Sequence, residues 1–394
     1  MGGSAKQQAR EKIARLAGRA ENLVTFWQES SEVIARAVPH YQAPCWYTLD
    51  PASLLITSHF NDGLPELPPE WLADEYYADD VNKLADVARS ERGISTLHGV
   101  THGDPTGTPR WQQNIAFGGD QEMIAGLRTK DGEVWGALGL YREAGQPMFD
   151  DEDLAFVGAL SAHLAEGARR ALLVGEATDP ERPDAPGLVV VTEQWEIESA
   201  TPGIERWLAE LPDGNWATGR LPSSVLAVAG RAMRTAENPD EPGEVAVSRV
   251  LSRLGTWVVL HGATLVSPGS RRVAVIVEPA HPARIAPLLM SAYGLSEREQ
   301  AVTGLVLQGN STTEIAQRLF VSEHTVQAHL TSVFAKTGVR SRRDLVGKVF
   351  FSHYEPRVRD NERRAIRKQP LRGGPVDRKT APRSSAGSGS PSQA

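Results

Sequence analysis

Residues 295–338 read LSEREQAVTGLVLQGNSTTEIAQRLFVSEHTVQAHLTSVFAKTG, and this stretch determines the structure of the C-terminal quarter of the chain. Ser296 and Glu299 stand three residues apart, the spacing at which two side chains cap one helix N-terminus reciprocally. Gly309 follows the apolar residues of the segment, and glycine commonly ends helices in the left-handed conformation. The pattern therefore predicts one complete helix between Ser296 and Gly309.

Two further helices follow in the same stretch. Ser311 and Glu314 repeat the capping-box spacing, which starts a second helix. Residues 320–322 form a turn, and a third helix is predicted for residues 323–337, with Gly338 at its end. Apolar residues recur at spacings of three and four, as on the buried side of a helix. They are Ile315, Ala316 and Leu319 in the second helix, and Val326, Leu330, Val333 and Phe334 in the third.

A fourth helix is predicted to start in the segment Ser341-Arg-Arg-Asp344, which gives an all-α domain of four helices within residues 291–354. Helices two and three, joined by a three-residue turn, form a helix-turn-helix unit whose second helix enters the major groove of DNA. The segment resembles the LuxR-type (GerE-type) helix-turn-helix domain. The residues that match this family's pattern are Leu295, Ser296, Arg298, Glu299, Gly309, Ser311, Glu314, Ile315, Ala316, Leu319, Ser322, Thr325, Val326, His329, Lys336, Gly338, Val339 and Arg342.

The resemblance implies residues for three roles. Base edges are expected to be read by Gln327, Ala328 and Thr331, which also lie opposite the apolar side of the third helix. Phosphate contacts are expected from Thr312, Thr313, Ser322, Thr325, Lys336 and Arg342. The alternative for Ser322 and Arg342 is helix capping or a solvated face. The fourth helix is expected to form a dimer contact through Leu345, Val346 and Val349.

Three residues depart from the family's usual choice on the expected DNA face. Thr312 and Thr313 stand where Asn and Lys are usual, and Gln327 stands where Lys is usual. Two positive charges are therefore absent from this face. Because lysine attracts phosphate and glutamine can pair with adenine, we expect weaker electrostatic binding or a different base preference.

The charge of the chain is divided between its two parts. Residues 291–394 contain 17 lysines and arginines against 9 aspartates and glutamates, whereas residues 1–290 contain 25 against 40. A local excess of positive charge is typical of a domain that binds a polyanion. Residues 355–394 are basic and poor in large apolar residues, which predicts a largely disordered tail.

The N-terminal half has the pattern of an α+β domain. The predicted elements are a helix over residues 5–38, two short strands beside the Asp50-Pro51 turn, a loop-rich acidic stretch to Pro109, a hairpin around Lys130-Asp131-Gly132 and a helix over residues 150–174. The segments GEVWGALGLYR at 132–142 and PMFDDEDL at 147–154 resemble a GAF domain, a module that senses small molecules. We place an N-terminal helix at 1–22 and the GAF-like sensor domain at 23–175.

A second α+β domain is predicted after a linker. Residues 176–186 are polar and rich in proline, which is typical of a linker. The predicted elements beyond it are strands at 187–192, 197–199, 256–266 and 273–277, and a short helix at 202–211. This order resembles a PAS-like domain over residues 187–286. The alternative is a plain α+β spacer that binds no ligand.

Several functional classes lack support in the sequence. No stretch approaches 18 apolar residues and the N-terminus lacks a secretory signal, so we expect a cytoplasmic protein and no membrane contact. The single Cys45 excludes an internal disulfide and is predicted to be a buried apolar residue, with a redox-sensing thiol as the alternative. No phosphate-binding loop, catalytic triad or metal-ligand cluster is found, so we predict no enzyme activity, no metal and no cofactor.

An unidentified small-molecule ligand remains compatible with this prediction. The aromatic residues Trp46, Tyr47, Trp111 and Trp135 could line a sensor pocket, although core packing is the better default.

These observations predict a DNA-binding transcriptional regulator. We expect it to act on double-stranded DNA as a homodimer, with RNA polymerase and a small-molecule effector as further partners. The alternative is a non-catalytic signalling adaptor in which the C-terminal domain contacts another protein.

Overall fold

The computed structural model describes residues 2–20, 22–63, 67–173, 186–238, 245–267, 270–280, 282–348 and 366–367. Within these ranges the chain forms two α+β domains, each with a five-stranded antiparallel sheet, followed by a helical C-terminal domain. The predicted fold class, α+β domains ahead of an all-α helix-turn-helix domain, is confirmed. No helix in the described part of the chain is both long and apolar enough to cross a membrane.

The first domain has seven helices and five strands among its described residues. They are α1 (Gly2–Arg19), α2 (Leu23–Ala37), β1 (Tyr41–Leu49), β2 (Ile56–Phe60), α3 (Pro69–Tyr77), α4 (Leu84–Arg89), β3 (Ile94–Thr96), α5 (Leu97–Val100), α6 (Pro109–Ala116), β4 (Gln121–Arg128), β5 (Val134–Arg142) and α7 (Asp151–Leu173). The strand order is β2-β1-β5-β4-β3. Helices α1, α2 and α7 bury an apolar core against one face of this sheet, and α3 and α4 pack on the other.

The strongest local signals of the first domain are confirmed. Strands β1 and β2 flank Asp50, and β4 and β5 form the predicted hairpin. Gly132 has a φ of +94° in the hairpin turn, a conformation that a residue with a Cβ rarely adopts. Helix α7 follows with Asp151, Glu152 and Asp153 in its first turn, where negative charge favours a helix.

One prediction for this domain is wrong, and another is incomplete. The single helix over residues 5–38 is two helices, because the Asn22 side chain accepts a hydrogen bond from the Thr25 backbone N–H at 3.1 Å and starts a new helix. The acidic stretch before Pro109 is rich in loops, as predicted, and it also contains the short elements α3, α4, β3 and α5. These short elements were missed because their apolar residues pack on the sheet without a long helical or alternating period.

The second domain repeats the sheet topology of the first. Its described elements are β6 (Gly187–Thr192), β7 (Ile197–Ala200), α8 (Ile204–Glu210), a 3-10 turn (Trp216–Thr218), α9 (Ser223–Glu237), β8 (Val247–Leu251), β9 (Trp257–Ser267) and β10 (Ser270–Pro279). The strand order is β7-β6-β10-β9-β8, which is the order of the first sheet when strands are counted within each domain. The four predicted strands are confirmed, whereas β8 and α9 were not predicted.

The two α+β domains share one buried apolar core. Helix α9 packs against α3 so closely that a Cβ added at Gly230 would lie 2.2 Å from the backbone oxygen of Ala73. Polar contacts also join the domains, because Arg249 donates to the buried Asp50 carboxylate from its Nε at 2.9 Å and its backbone N–H at 2.8 Å. The contact between the two domains is therefore tightly packed and partly ionic.

The helical part comprises α10 (Pro282–Ala292), α11 (Glu297–Leu307), α12 (Thr312–Leu319), α13 (Glu323–Thr337) and α14 (Arg342–Val346). Both predicted capping boxes form, with Ser296 at the start of α11 and Ser311 at the start of α12. Gly309 and Gly338 adopt φ values of +84° and +68° after α11 and α13. The four predicted helices of the C-terminal domain are thus α11 to α14.

Parts of two predictions lie outside the described residues. Only residue 186 of the predicted linker and residues 366–367 of the predicted tail are described. Val349, one of the three predicted dimer residues, is also outside the described ranges. The predicted boundaries of the N-terminal helix, the two α+β domains and the C-terminal domain stay predictions.

Candidate nucleic-acid interface

The residues predicted to read bases lie on the exposed side of α13. Val326, Leu330 and Val333 are buried along the opposite side, where they join the core of the C-terminal domain. Gln327, Ala328 and Thr331 are exposed, as the sequence pattern predicted. The Thr331 hydroxyl donates to the Gln327 carbonyl at 3.0 Å and keeps lone pairs free to accept a hydrogen bond.

The hydroxyl groups predicted to contact phosphates lie around the two helix N-termini of the motif. Ser322 caps α13, and its hydroxyl lies 2.8 Å from that of Thr325. Thr313 donates to the Glu323 carboxylate at 2.7 Å, which links the start of α12 to the start of α13. A capping role is therefore established for Ser322, and capping leaves a hydroxyl able to contact a phosphate at the same helix end.

Arg342 and Thr312 are brought together by the fold. The Arg342 guanidinium lies 3.3 Å from the Thr312 hydroxyl and also donates to the backbone oxygen of Asn310. These bonds fix the guanidinium beside the N-terminus of α12. The start of α12 therefore carries the positive charge of Arg342 although Thr312 and Thr313 are neutral.

Lys336 is placed differently from the other predicted phosphate ligands. Its ammonium donates to the Glu299 carboxylate at 2.6 Å and to the Gly294 backbone oxygen at 2.9 Å. Burial alone would raise the pKa of Glu299, but the hydrogen bonds from Lys336 and Ser332 lower it to about 2. The Lys336 ammonium is thus paired with a carboxylate that is ionised near neutral pH, while the Lys336 side chain itself is 37% exposed.

The predicted dimer residues are divided by the fold. Leu345 is 0% exposed and packs in the core of the C-terminal domain, so it is not available for a dimer contact in this arrangement. Val346 is only partly buried against the same core. The sequence period identified an apolar side of the fourth helix, but it did not distinguish the part that faces the domain's own core.

A second candidate site lies in the first domain and was not predicted. Arg110 pairs with two buried carboxylates, from its Nη1 to Glu75 at 2.8 Å and from its Nε to Glu122 at 2.6 Å. Asn82 and Asn114 donate to the Glu122 carboxylate at 2.7 and 3.2 Å. Burial raises the pKa of Glu75, and Arg110 opposes that effect.

An aromatic cleft lies beside this polar cluster. Its lining includes Tyr41, Tyr47, Trp71, Asn114, Phe117 and Tyr141. The cleft has a volume of about 30 Å³, and an adjoining groove of about 640 Å³ shares Tyr41 and Gln42 with it. The groove falls within the size range of ligand sites, roughly 300–1,000 Å³.

Of the four aromatic residues considered from the sequence, only Tyr47 lines the cleft. Trp46 stacks on Trp27 in the core with ring centres 4.4 Å apart, and Trp135 is buried beside the helical part. Trp111 donates to Asp120 at 3.0 Å. The Cys45 side chain is buried, as predicted, and burial raises the pKa of its thiol to about 12.

Comparison with known proteins places the strongest similarity at the helix-turn-helix. Residues 294–349 match the family described as "GerE: Bacterial regulatory proteins, luxR family". A Mycobacterium tuberculosis protein named as an HTH-type transcriptional regulator is 54% identical over 52 residues, which is 13% of this chain and 6% of that protein. The oxygen regulatory protein NreC of Staphylococcus aureus is 44% identical over 52 residues, 13% of this chain and 24% of that protein. The chain thus spans only a small part of these relatives.

Solved structures are similar mainly to the N-terminal part. A GAF sensor protein from Burkholderia vietnamiensis is 16% identical, with 43% of this chain and 99% of that chain covered and a TM-score of 0.30. The bacteriophytochrome RpBphP3 of R. palustris is 11% identical, with 69% and 62% covered and a TM-score of 0.29. Likeness at this level supports no statement about what this chain binds. The match to the luxR family covers the helices α11 to α14, and the described residues 294–348 form a LuxR-type helix-turn-helix domain.

Proposed function

We propose that this protein is a sequence-specific DNA-binding transcriptional regulator. The observation that carries the proposal is α13, which presents Gln327, Ala328 and Thr331 outward while its opposite side is buried in a LuxR-type domain. An exposed polar face on the second helix of this motif is the arrangement that reads base edges in the major groove. The name of the Mycobacterium tuberculosis relative, an HTH-type transcriptional regulator, supports the same function.

The finer proposal is a cytoplasmic homodimer whose activity is set by an effector at the α+β domains. Two copies would place two recognition helices on half-sites about one turn of DNA apart. The groove of about 640 Å³ in the first domain supports an effector site. Contact with RNA polymerase is part of the proposal, as is the absence of enzymatic activity.

The first test is sequence-dependent binding of the full chain to fragments of its host genome. Replacing Gln327 by alanine should reduce discrimination between preferred and altered sites by roughly 5- to 150-fold, since one good base contact contributes about 1–3 kcal/mol. The slope of log K against log salt should stay unchanged, because no charge is removed.

The matched control is Gln28→Ala, which removes an exposed helical glutamine from α2 in the first domain. It should leave both discrimination and affinity unchanged. Equal binding of the unmodified protein to all fragments would contradict the proposed function and favour the adaptor alternative. Stoichiometry on a palindromic site tests the dimer, with two chains per site expected.

The effector is tested by native mass spectrometry of the full chain purified from its host. We expect a small-molecule mass that is lost on denaturation. The volume of the aromatic cleft, about 30 Å³, has room for only about two water molecules. A bound molecule of ordinary size is therefore expected in the adjoining groove, and its release should be accelerated by Tyr41→Ala, which changes the wall common to the cleft and the groove.

A further inference from the structure

The turn that joins α10 to α11 is contacted by both the first domain and the recognition helix. The contacted residues, 291–294, are the last two residues of α10 and the two that follow it, and Gly294 adopts a φ of +66°. The contacts on its two sides are made by long charged side chains whose partners are backbone or hydroxyl oxygens of the turn. We refer to these residues as the 291–294 turn.

The first domain contacts this turn through Glu133 and Arg169. The Glu133 carboxylate accepts a hydrogen bond from the Ser291 hydroxyl, and the Trp135 ring N–H donates to the same carboxylate at 3.3 Å. Arg169 donates from its Nη1 to the Ser291 backbone oxygen at 3.3 Å. Its guanidinium also covers Gly294, because a Cβ added there would lie 2.9 Å from Nη2.

The recognition helix contacts the same turn through Lys336. The ammonium donates to the Gly294 oxygen at 2.9 Å, and it is oriented by the Glu299 carboxylate at 2.6 Å. Ser332, one helical turn earlier, donates to the other oxygen of Glu299 at 2.6 Å. Two successive turns of α13 are therefore bonded to Glu299, whose second role is to cap α11.

Lys336 lies away from the centre of the reading face of its helix. At about 100° per residue, its side chain points about 180° from Gln327, about 140° from Thr331 and about 80° from Ala328. An ammonium that is held by Glu299 and Gly294 on that side positions the helix instead of contacting a phosphate.

We infer that the 291–294 turn is the contact through which the first domain holds the recognition helix in its DNA-reading position. Arg169 is the positioning residue on the first domain and contacts Ser291 and Gly294. Lys336 is the corresponding residue on α13, and its ammonium bonds to the backbone oxygen of Gly294. This inference rests on the proposed DNA-binding function. It assigns Lys336 a positioning role in place of the predicted phosphate contact.

The test compares Arg169→Met with Arg170→Met in the full chain. Arg170 is the next residue on α7 and is about half exposed; it bonds to Glu166, which also pairs with Arg169, so the control leaves Arg169 its contacts to Glu166 and to the 291–294 turn. Arg169→Met should weaken binding to the preferred DNA site by about 10-fold, within the usual range of coupling between sites, whereas Arg170→Met should have no effect. Arg169→Lys keeps the charge and one donor, so it should restore part of the affinity.

Lys336→Met separates positioning from phosphate contact. It should weaken binding about as much as Arg169→Met while leaving the salt slope unchanged. A phosphate ligand would instead lower the slope by about 1. The double variant should bind only slightly more weakly than either single variant, because both substitutions interrupt the same series of contacts.

If the unmodified chain binds DNA selectively, the results for the variants test only the inference about the 291–294 turn. Unchanged affinity of Arg169→Met, tighter binding by it, a lower salt slope for Lys336→Met, or additive losses in the double variant would each overturn the inference. Thermal unfolding of every variant shows whether it is folded. If Arg169→Met is misfolded, the DNA affinity of Arg169→Lys is compared with that of the unmodified chain instead. Absence of selective binding by the unmodified chain contradicts the proposed function instead.

Discussion

Replacing Arg110 by methionine is expected to lower the free energy of unfolding by about 3–5 kcal/mol, the usual cost of removing one partner from a buried ion pair. The arginine is shared by Glu75 and Glu122, whose side chains are 6% and 1% exposed. Methionine fills part of the space but donates no hydrogen bond. Two carboxylates would then remain together in the interior with only amide and backbone donors.

The loss should depend on pH in a defined direction. Burial raises the pKa of Glu75, and the nearby charge of Arg110 offsets part of this increase. Removing Arg110 therefore raises this pKa further. A carboxyl group whose pKa is raised in the folded state favours folding below its unfolded pKa, and that contribution is lost as the pH rises through the folded pKa. The deficit of Arg110→Met should thus be larger at about pH 8 than at about pH 5.

Denaturant unfolding at several pH values measures this deficit. The matched control is Arg92→Met, because Arg92 lies at the surface and its nearest carboxylate, on Asp151, is 3.5 Å away and 99% exposed. Exposed pairs contribute about 0–1 kcal/mol, so the control should change little at any pH. A deficit for Arg110→Met that grows toward acid pH would show that the carboxylates are not its cause.

This polar cluster also shows a limit of sequence analysis. Glu75 and Glu122 lie 35 and 12 residues from Arg110, and nothing in their local sequence pairs them. Only the packing of α3 and α6 over β4 brings the three side chains together. The aromatic cleft has the same origin, since its lining comes from β1, α3, α6 and β5.

The helix-turn-helix could be predicted because its signals are local. The caps of α11 and α12 involve side chains three residues apart, and the buried side of α13 follows from its period. The same dependence on local signals explains why the contacts of Lys336 and Leu345 were not predicted. The partner of Lys336 lies 37 residues away at Glu299, and the period of α14 does not show that Leu345 faces the domain's own core.

Helix α9 was missed for a related reason. Every residue from Ser223 to Met233 is buried, so this stretch has no solvent-exposed side of the kind that marks a surface helix. It packs between the second sheet and α3 of the first domain. The sequence of a helix that is buried between two domains does not show which residues face each domain, so such a helix is identified only from the folded structure.

That enclosure gives the second large prediction. Gly230→Ala should destabilise the protein by roughly 3 kcal/mol, at the upper end of the usual cost of overpacking. The added methyl group would meet the Ala73 backbone oxygen at 2.2 Å and its carbonyl carbon at 3.0 Å, and backbone atoms cannot turn aside as a flexible side chain can. Helices α3 and α9 must separate, which outweighs the gain of up to about 1 kcal/mol that alanine brings to a helix interior.

Calorimetry of the full chain distinguishes this effect from a general response to alanine in a helix. Gly158→Ala in α7 is the control, because the nearest atom to its added Cβ is a side-chain carbon of Ile94 at 4.0 Å, and it should stabilise the protein by about 0.5–1 kcal/mol. The changes in stability caused by the two glycine-to-alanine substitutions should have opposite signs, because only Gly230 is closely packed against backbone atoms. Because α3 and α9 belong to different α+β domains with a common core, Gly230→Ala should also divide their joint thermal transition into two. A single transition at an unchanged temperature would mean that the domains do not depend on this contact.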